Sequence, residues 1–333
     1  MRRLVADVDT GIDDMLAVIY LAARHRAGDI DVAGITTTAG NTTAENAAVN
    51  TRWVLDLCGC PDIPVGVGPA APVRLPLTTT PETHGPCGLG YACPPDAIRD
   101  EVMAPQQGRT AEQAPSPVTA RRVSTTTEVW EAALEDGPAD LVVTGPLTSA
   151  AMNPGLVSRY ESLTVMGGAI NYPGNTTPTA EWNFWVDPDA VAMVLENIQR
   201  HAWDTTLCHL GVTETITVTP ADIGQWGMGG QLKAVVRDAL RFYFEFHDKE
   251  GIGYLAQVHD LLAIMVALDA VPYTTLDTTV ATVPGDRGAV VPVSPLPADT
   301  VLPPDSTRAT IHVLNSVDPN QVRAEMRRAV ALL

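Results

Sequence analysis

At 333 residues with 45% hydrophobic content the chain can bury a large core, and its 27 prolines and 26 glycines make it loop-rich without making it disordered, because apolar runs continue to its end. A formal net charge of −18 repels phosphate backbones and anionic lipid, which excludes nucleic acid and membrane surfaces as expected partners and favours a small neutral substrate. The start Met1-Arg2-Arg3 meets Asp7 before a signal-peptide apolar region can form, and no stretch approaches the roughly 18 to 20 apolar residues that span a bilayer, so the expected location is cytoplasmic.

Strand-like and helical runs alternate from the beginning, the signature of parallel βαβ units. A strand over 3–8 leads to a helix over 12–26, and a strand over 31–37 leads through Gly40-Asn41 to a helix over 43–58. Ile63-Pro64-Val65-Gly66 reads as a short third strand. Residues 94–125, rich in Pro, Gln, Thr and Arg and with little periodicity, read as a surface insertion. The rhythm resumes with a helix over 126–135, a strand over 141–144, a helix from Leu147 and a strand over 163–166.

The connection from Gly167 to Val186 exceeds the usual length and is expected to be functional. A helix over 188–201 follows with Asp187 as its N-cap, then helices over 230–250 and 259–268, β-rich runs around 277–292 and 309–314, and a last helix over 318–333. The expected fold is a single α/β domain over 1–333: an open, mostly parallel, Rossmann-like sheet flanked by helices, with a small β-rich C-terminal extension. Cys58, Cys60, Cys87, Cys93 and Cys208 show no paired CxxC spacing, so reduced, packed thiols are the expectation.

The opening run Asp7-Val8-Asp9-Thr10-Gly11-Ile12-Asp13-Asp14 carries the strongest chemistry. Strand alternation predicts Asp7 and Asp9 on one face at a carboxyl end, Gly11 allows a tight turn, and Asp13 and Asp14 open the next helix. Either of the last two alone would merely complement a helix dipole. Four carboxylates in eight residues exceed that need, and ionised carboxylates so close repel unless one is protonated or a hard cation sits among them. An all-oxygen set suits Ca²⁺ or Mg²⁺ better than zinc, and the carboxyl edge of a parallel sheet is where such folds bind ligands.

Other polar interruptions fall at the same predicted rim. Thr36-Thr37-Thr38-Ala39-Gly40-Asn41 and Thr144-Gly145-Pro146-Leu147-Thr148 are each ordinary turn punctuation when taken singly. Asn175, Glu181 and Asn183 offer hydrogen bonds for the hydroxyls of a sugar, beside the aromatic Trp182. Val258-His259-Asp260 sets a His and an Asp at the mouth of an apolar helix, where the Asp could join a metal and the His could act as an acid.

Taken in order, the aspartate motif, Gly40-Asn41, His84-Gly85, Thr144-Gly145-Pro146-Leu147-Thr148, Met166-Gly167-Gly168, Asn175, Glu181-Trp182-Asn183, Asp187-Pro188 and His259-Asp260 resemble the inosine-uridine-preferring nucleoside hydrolase family over nearly the whole chain. That resemblance implies the nucleoside hydrolase fold, a bound Ca²⁺, a ribonucleoside substrate cleaved to free base and ribose, a role in purine or pyrimidine salvage, and a homodimer or homotetramer. Carried over by motif, it implies Asp9, Asp14, the carbonyl of Thr144 and Asp260 as ligands of Ca²⁺, with Asp9 also the general base. Asp13 and Asn41 would contact the 2′ and 3′ side of the ribose, Asn183 the 3′-hydroxyl, and Asn175 and Glu181 the 5′-hydroxyl. His259 would protonate or orient the leaving base, with His84 near it.

Thr10 stands where the family usually has Pro and Cys87 where it usually has Asp; Cys87 and the 94–125 segment fall near the expected base site and so bear on base preference more than on reaction type. Two rival readings are a non-catalytic nucleoside or ribose sensor on the same fold, and a phosphohydrolase using Asp7 and Asp9. The second needs a phosphate-binding lysine, whereas Lys233 and Lys249 lie far from any such motif.

Overall fold

Parallel pairing organises the chain from its first strand. The computed structural model describes residues 1–104, 124–292 and 307–333. Its strands are β1 (Arg2–Val8), β2 (Ile30–Thr37), β3 (Val65–Val67), β4 (Ser124–Thr125), β5 (Asp140–Val143), β6 (Leu163–Met166), β7 (Thr205–Cys208), β8 (Thr217–Val218), β9 (Ala256–Gln257), β10 (Tyr273–Thr282), β11 (Val290–Pro292) and β12 (Arg308–Val317). Ten of them form one sheet in the order β11-β10-β12-β7-β6-β5-β1-β2-β3-β4, parallel from β12 to β4, while β10 runs antiparallel to both β12 and β11. The predicted C-terminal extension is therefore the continuing edge of the main sheet, joined to it through the pairing of β12 with β7.

After β1 the chain moves to one side through β2, β3 and β4, then returns to pair β5 on the other side of β1. This makes the carboxyl end of β1 a topological switch point, where loops from both directions diverge and leave a crevice. Register keeps the rim level: Thr38 N–H donates to Val8 O at 2.9 Å, and Thr144 N–H donates to Asp7 O at 2.8 Å. The residues that follow β1, β2 and β5 thus emerge side by side.

Strand alternation sends Leu4, Ala6 and Val8 to one face and Val5 to the other, and the core divides accordingly. The first face is covered by helices Ile12–Arg26, Ala44–Leu57, Gly230–Lys249, His259–Ala267 and Pro319–Val330, the second by Thr126–Glu135 and Pro188–His201. Helix Ile12–Arg26 is buried all round from Ile12 to Ala23, because other helices pack over its outer side. Its first turn carries Asp13 and Asp14 and its last Arg24, His25 and Arg26, each complementing the helix dipole. The last helix is tied to it by the buried Glu325, which accepts from Tyr20 Oη at 2.9 Å and pairs with Arg24.

Two expectations change. Asp7 does not share the rim with Asp9: it follows Val5 toward the second face, where Oδ1 accepts from Thr36 Oγ1 at 2.6 Å, and burial pushes its carboxyl up to about 6. Cys87 and Cys93 are joined in a disulfide, so the expectation of reduced thiols holds for Cys58, Cys60 and Cys208 alone. Within the expected surface insertion, Asp96–Met103 forms a helix with Val102 buried; residues 105–123 lie outside the described residues. No helix among the described residues is long and apolar enough to cross a membrane.

Candidate active site

The crevice at the switch point is a cavity of about 580 Å³, lined among others by Asp13, Asn41, His84, Thr144, Asn175, Glu181, Trp182, Asn183, His259 and Asp260. Asp9 and Asp14 are fully buried just beneath it. At this floor Asp13, Asp14 and Asp260 each offer a carboxylate oxygen, all within 4.8 Å of one another. Two of these residues open helix Ile12–Arg26 and the third opens helix His259–Ala267, which packs against it.

The carboxylates are positioned from outside the cluster. Asp14 Oδ2 accepts from Gly11 N–H at 3.0 Å and Oδ1 from Thr144 Oγ1 at 2.7 Å. Asp9 Oδ2 accepts from Asn41 N–H at 2.6 Å and Oδ1 from Asn41 Nδ2 at 3.2 Å. Burial first, and the charge of Asp14 next, push Asp13 up to about 7 and Asp9 well above the usual carboxylate range. Burial raises Asp14, and burial with the charges of Asp13 and Asp14 raises Asp260.

A buried cluster of this kind either holds protons or holds a cation. Asp13 Oδ1 is buried with no hydrogen-bond partner among the described residues, the donors are all oxygen, and their spacing suits a hard divalent ion. The residues present therefore fit Ca²⁺. The carbonyl of Thr144 accepts from Asn183 Nδ2 at 2.7 Å, and a carbonyl oxygen retains a second lone pair after one such bond.

Close backbone approach makes the turns specific. A Cβ at Gly11 would stand 2.6 Å from His84 Nδ1, and a Cβ at Gly40 would stand 2.2 Å from Asp9 Oδ2 and 2.7 Å from the ring of Pro146. Gly40→Ala is accordingly expected to displace Asp9 or the Pro146 ring and to destabilise the fold by about 1–3 kcal/mol, the scale for an overpacked site. A circular-dichroism melt checks this; a wild-type melting temperature would show that the rim can take up the added methyl without cost.

The connection after β6 supplies the opposite wall. Glu181 caps helix Trp182–Val186, accepting from Asn183 N–H and Phe184 N–H, and reaches back to Gly168 N–H at 2.9 Å. Burial pushes its carboxyl up to about 7 against those backbone donors. Asn183 is buried, bonded to Thr144 O and Met166 O, whereas Asn175 is exposed at the mouth, where its Oδ1 accepts from Trp182 N–H. Trp182 stacks on Trp185 with ring centroids 5.7 Å apart.

At the other end the cavity is aromatic and histidine-rich. His84 Nδ1 accepts from Ile12 N–H at 3.0 Å, which requires an unprotonated Nδ1 and makes Nε2 the N–H of the neutral ring. Burial holds His84 and His259 neutral, both lowered to about 3, with nearby His247 adding to the effect. Tyr243, Phe246, His247, Gln257 and Glu214 complete this end, and sequence reading does not single them out. Tyr243 and His247 lie one turn apart on helix Gly230–Lys249, where such a pair reads as core; the available signal is the polar His at that spacing. No Lys or Arg lines the cavity among the described residues, which leaves the phosphohydrolase reading without a phosphate anchor.

The sequence profile of the family described as inosine-uridine preferring nucleoside hydrolase matches residues 4–324. The chain is 31% identical over 280 residues to a protein of Salmonella paratyphi C named pyrimidine-specific ribonucleoside hydrolase RihA, covering 82% of each. Among solved structures it is similar to the purine-preferring ribonucleoside hydrolase from Gardnerella vaginalis, at 26% identity and a TM-score of 0.77, covering 99% of both chains. It shares its fold with the plant nucleoside hydrolase PpNRh1, at 22% identity and a TM-score of 0.75 over 99% of this chain and 98% of that one.

Proposed function

The chain belongs to the inosine-uridine preferring nucleoside hydrolase family and is an N-glycosyl hydrolase of ribonucleosides, and from the geometry of its crevice we propose how it works: Ca²⁺-dependent cleavage with Asp9 as general base and His259 assisting the leaving base. The observation that carries this is the convergence of Asp13, Asp14 and Asp260, with Asp9 beside them, at the floor of a cavity walled by hydroxyl-binding groups on one side and histidines on the other.

Asp9, Asp14, Asp260 and the Thr144 carbonyl would hold the ion, which supplies a Lewis acid that orients the sugar hydroxyls and makes a water easier to deprotonate. Asp9 takes the proton of the attacking water, a step that needs it ionised; its two bonds from Asn41 favour that form. Asp13 and Asn41 orient the 2′ and 3′ side of the ribose, Asn183 the 3′-hydroxyl, and Glu181 with Asn175 the 5′-hydroxyl. Buried carboxylates stabilise the positive charge that develops on the sugar as the glycosidic bond lengthens. Polar clamps of this kind select for ribose, because a missing hydroxyl leaves a buried group unpaired.

At the base end His84 presents an N–H donor and His259, a neutral imidazole, gives a hydrogen bond to the departing base. Base preference is not common to the relatives: one is named pyrimidine-specific and a structural neighbour purine-preferring. Assembly as a homodimer or homotetramer belongs to the same proposal and rests on family membership alone.

The test is reducing-sugar release from uridine, cytidine, inosine, adenosine and p-nitrophenyl riboside. Ribose release from at least one natural nucleoside is expected, and binding without release would favour a sensor. His259→Ala is expected to slow the natural nucleosides by roughly 10²–10⁴-fold while sparing p-nitrophenyl riboside, whose leaving group needs no help. An equal loss on both would remove His259 from that role.

A further inference from the structure

Which nitrogen of His259 carries its proton decides whether the ring can help a base to leave, and the structure places a single hydroxyl against that choice. Thr213 Oγ1 lies 2.9 Å from His259 Nδ1, across 46 positions of sequence. Thr213 is wholly buried and His259 8% exposed, so water does not compete for the contact. Resting on the reading of His259 above, we propose that Thr213 is a positioning residue, holding the His259 ring and keeping its Nε2 as the N–H that faces the leaving base.

The short helix Leu210–Thr213 follows β7 at the carboxyl rim of the sheet. Its entry is set by His209, whose Nδ1 accepts from Gly211 N–H at 3.3 Å, and by Leu210 N–H, which donates to Gly168 O at 2.9 Å. That second bond ties the turn to the same loop that carries Glu181. One turn thus directs Thr213 to His259 and places Glu214 in the cavity lining, where its Oε2 accepts from Tyr172 Oη at 2.7 Å.

A threonine hydroxyl has one proton and can give it to one acceptor at a time. Two acceptors are within reach: His259 Nδ1 at 2.9 Å and Leu210 O at 3.4 Å. Donation to the shorter partner leaves Nδ1 as a lone pair and forces the ring hydrogen onto Nε2, ready to hydrogen-bond the base. Donation to Leu210 O instead lets Nδ1–H donate to Thr213, and Nε2 then faces the cavity as an acceptor with nothing to give.

The distances favour the first arrangement: 2.9 Å suits the His259 contact in either direction, whereas 3.4 Å is longer than the usual range for a hydroxyl donating to a carbonyl, so the Thr213 proton is better placed on Nδ1 than on Leu210 O. A carboxylate at this position would take a hydrogen from Nδ1 and enforce the opposite tautomer. The hydroxyl is thus a chemical choice suited to a donor at Nε2, and not only a packing contact.

Thr213→Val keeps the branched shape and removes the hydroxyl, and Thr213→Ser keeps the hydroxyl. Thr213→Val is expected to lower kcat on the best natural nucleoside by roughly 10- to 100-fold, part of the range for proton-transfer assistance, while p-nitrophenyl riboside stays within about threefold. Thr213→Ser is expected to restore the natural substrate, and Thr213→Val added to His259→Ala to cost nothing further. Equal losses on both substrates, a serine as poor as the valine, or a silent valine would overturn the proposal for Thr213. If His259→Ala itself affects both substrates equally, the reading of His259 falls and Thr213 falls with it, an outcome told apart from the others by the His259 variant alone.

Discussion

Asp9→Asn is expected to lower kcat by roughly 10²–10⁴-fold, the range for a lost general base, and to leave the fold standing. The side chain is held by two bonds from Asn41, and an amide of the same shape can keep an oxygen on the Asn41 N–H. It also removes one buried negative charge from beside Asp14, whose charge adds to the upward shift of Asp9. Thermal stability without Ca²⁺ should therefore hold or rise even as turnover collapses. Initial rates on the best nucleoside, paired with a circular-dichroism melt, separate the two effects; undiminished turnover would take Asp9 out of the mechanism.

Calcium affinity is expected to climb with pH, because the ion and protons compete for the same buried oxygens. Asp13 is raised from an ordinary 3.8 to about 7 in the folded chain without metal. Between those values the folded state binds more protons than the unfolded one, so this contribution to stability is full below about 4 and is lost as pH rises through about 7. Calcium would offset that loss, because an ion held by Asp9, Asp14 and Asp260 replaces their protons and neutralises the charge beside Asp13. The increase in melting temperature on adding Ca²⁺ should thus be small near pH 5 and large near pH 8, where a hundredfold excess over Kd contributes about 2.7 kcal/mol. Calorimetric titration at both pH values checks it, and an affinity independent of pH would mean that Asp9, Asp14 and Asp260, all raised by burial, do not hold the ion.

What could be read in the sequence was local. Asp9, Asp13 and Asp14 announce themselves because one turn brings them together, and Asp260 because it opens an apolar helix. The alternation of strands and helices likewise reveals a mostly parallel sheet, since each βαβ unit is contiguous. Asp7 misleads for the same reason that Asp9 informs: alternation holds only to the end of β1 at Val8, and beyond it the turn re-aims the chain.

The missing pieces depend on distant contacts. β7 is four residues long, too short to show a period, yet it sits in the middle of the sheet. Thr213 lies on a helix of four residues and matters only because His259 returns to it from 46 positions away. Tyr243 and His247 look like the buried stripe of an amphipathic helix, and only the tertiary fold turns that stripe toward a cavity. The Cys87–Cys93 bridge spans six positions, a separation that signals neither a metal site nor a redox motif.

The most direct measurement is ribose release from the best natural nucleoside by one preparation assayed as purified, after chelation with EDTA and dialysis, and after Ca²⁺ is restored. Activity lost on chelation and recovered with Ca²⁺ is the result expected of a hydrolase whose buried aspartates hold the ion. Full activity in the stripped protein would contradict the account.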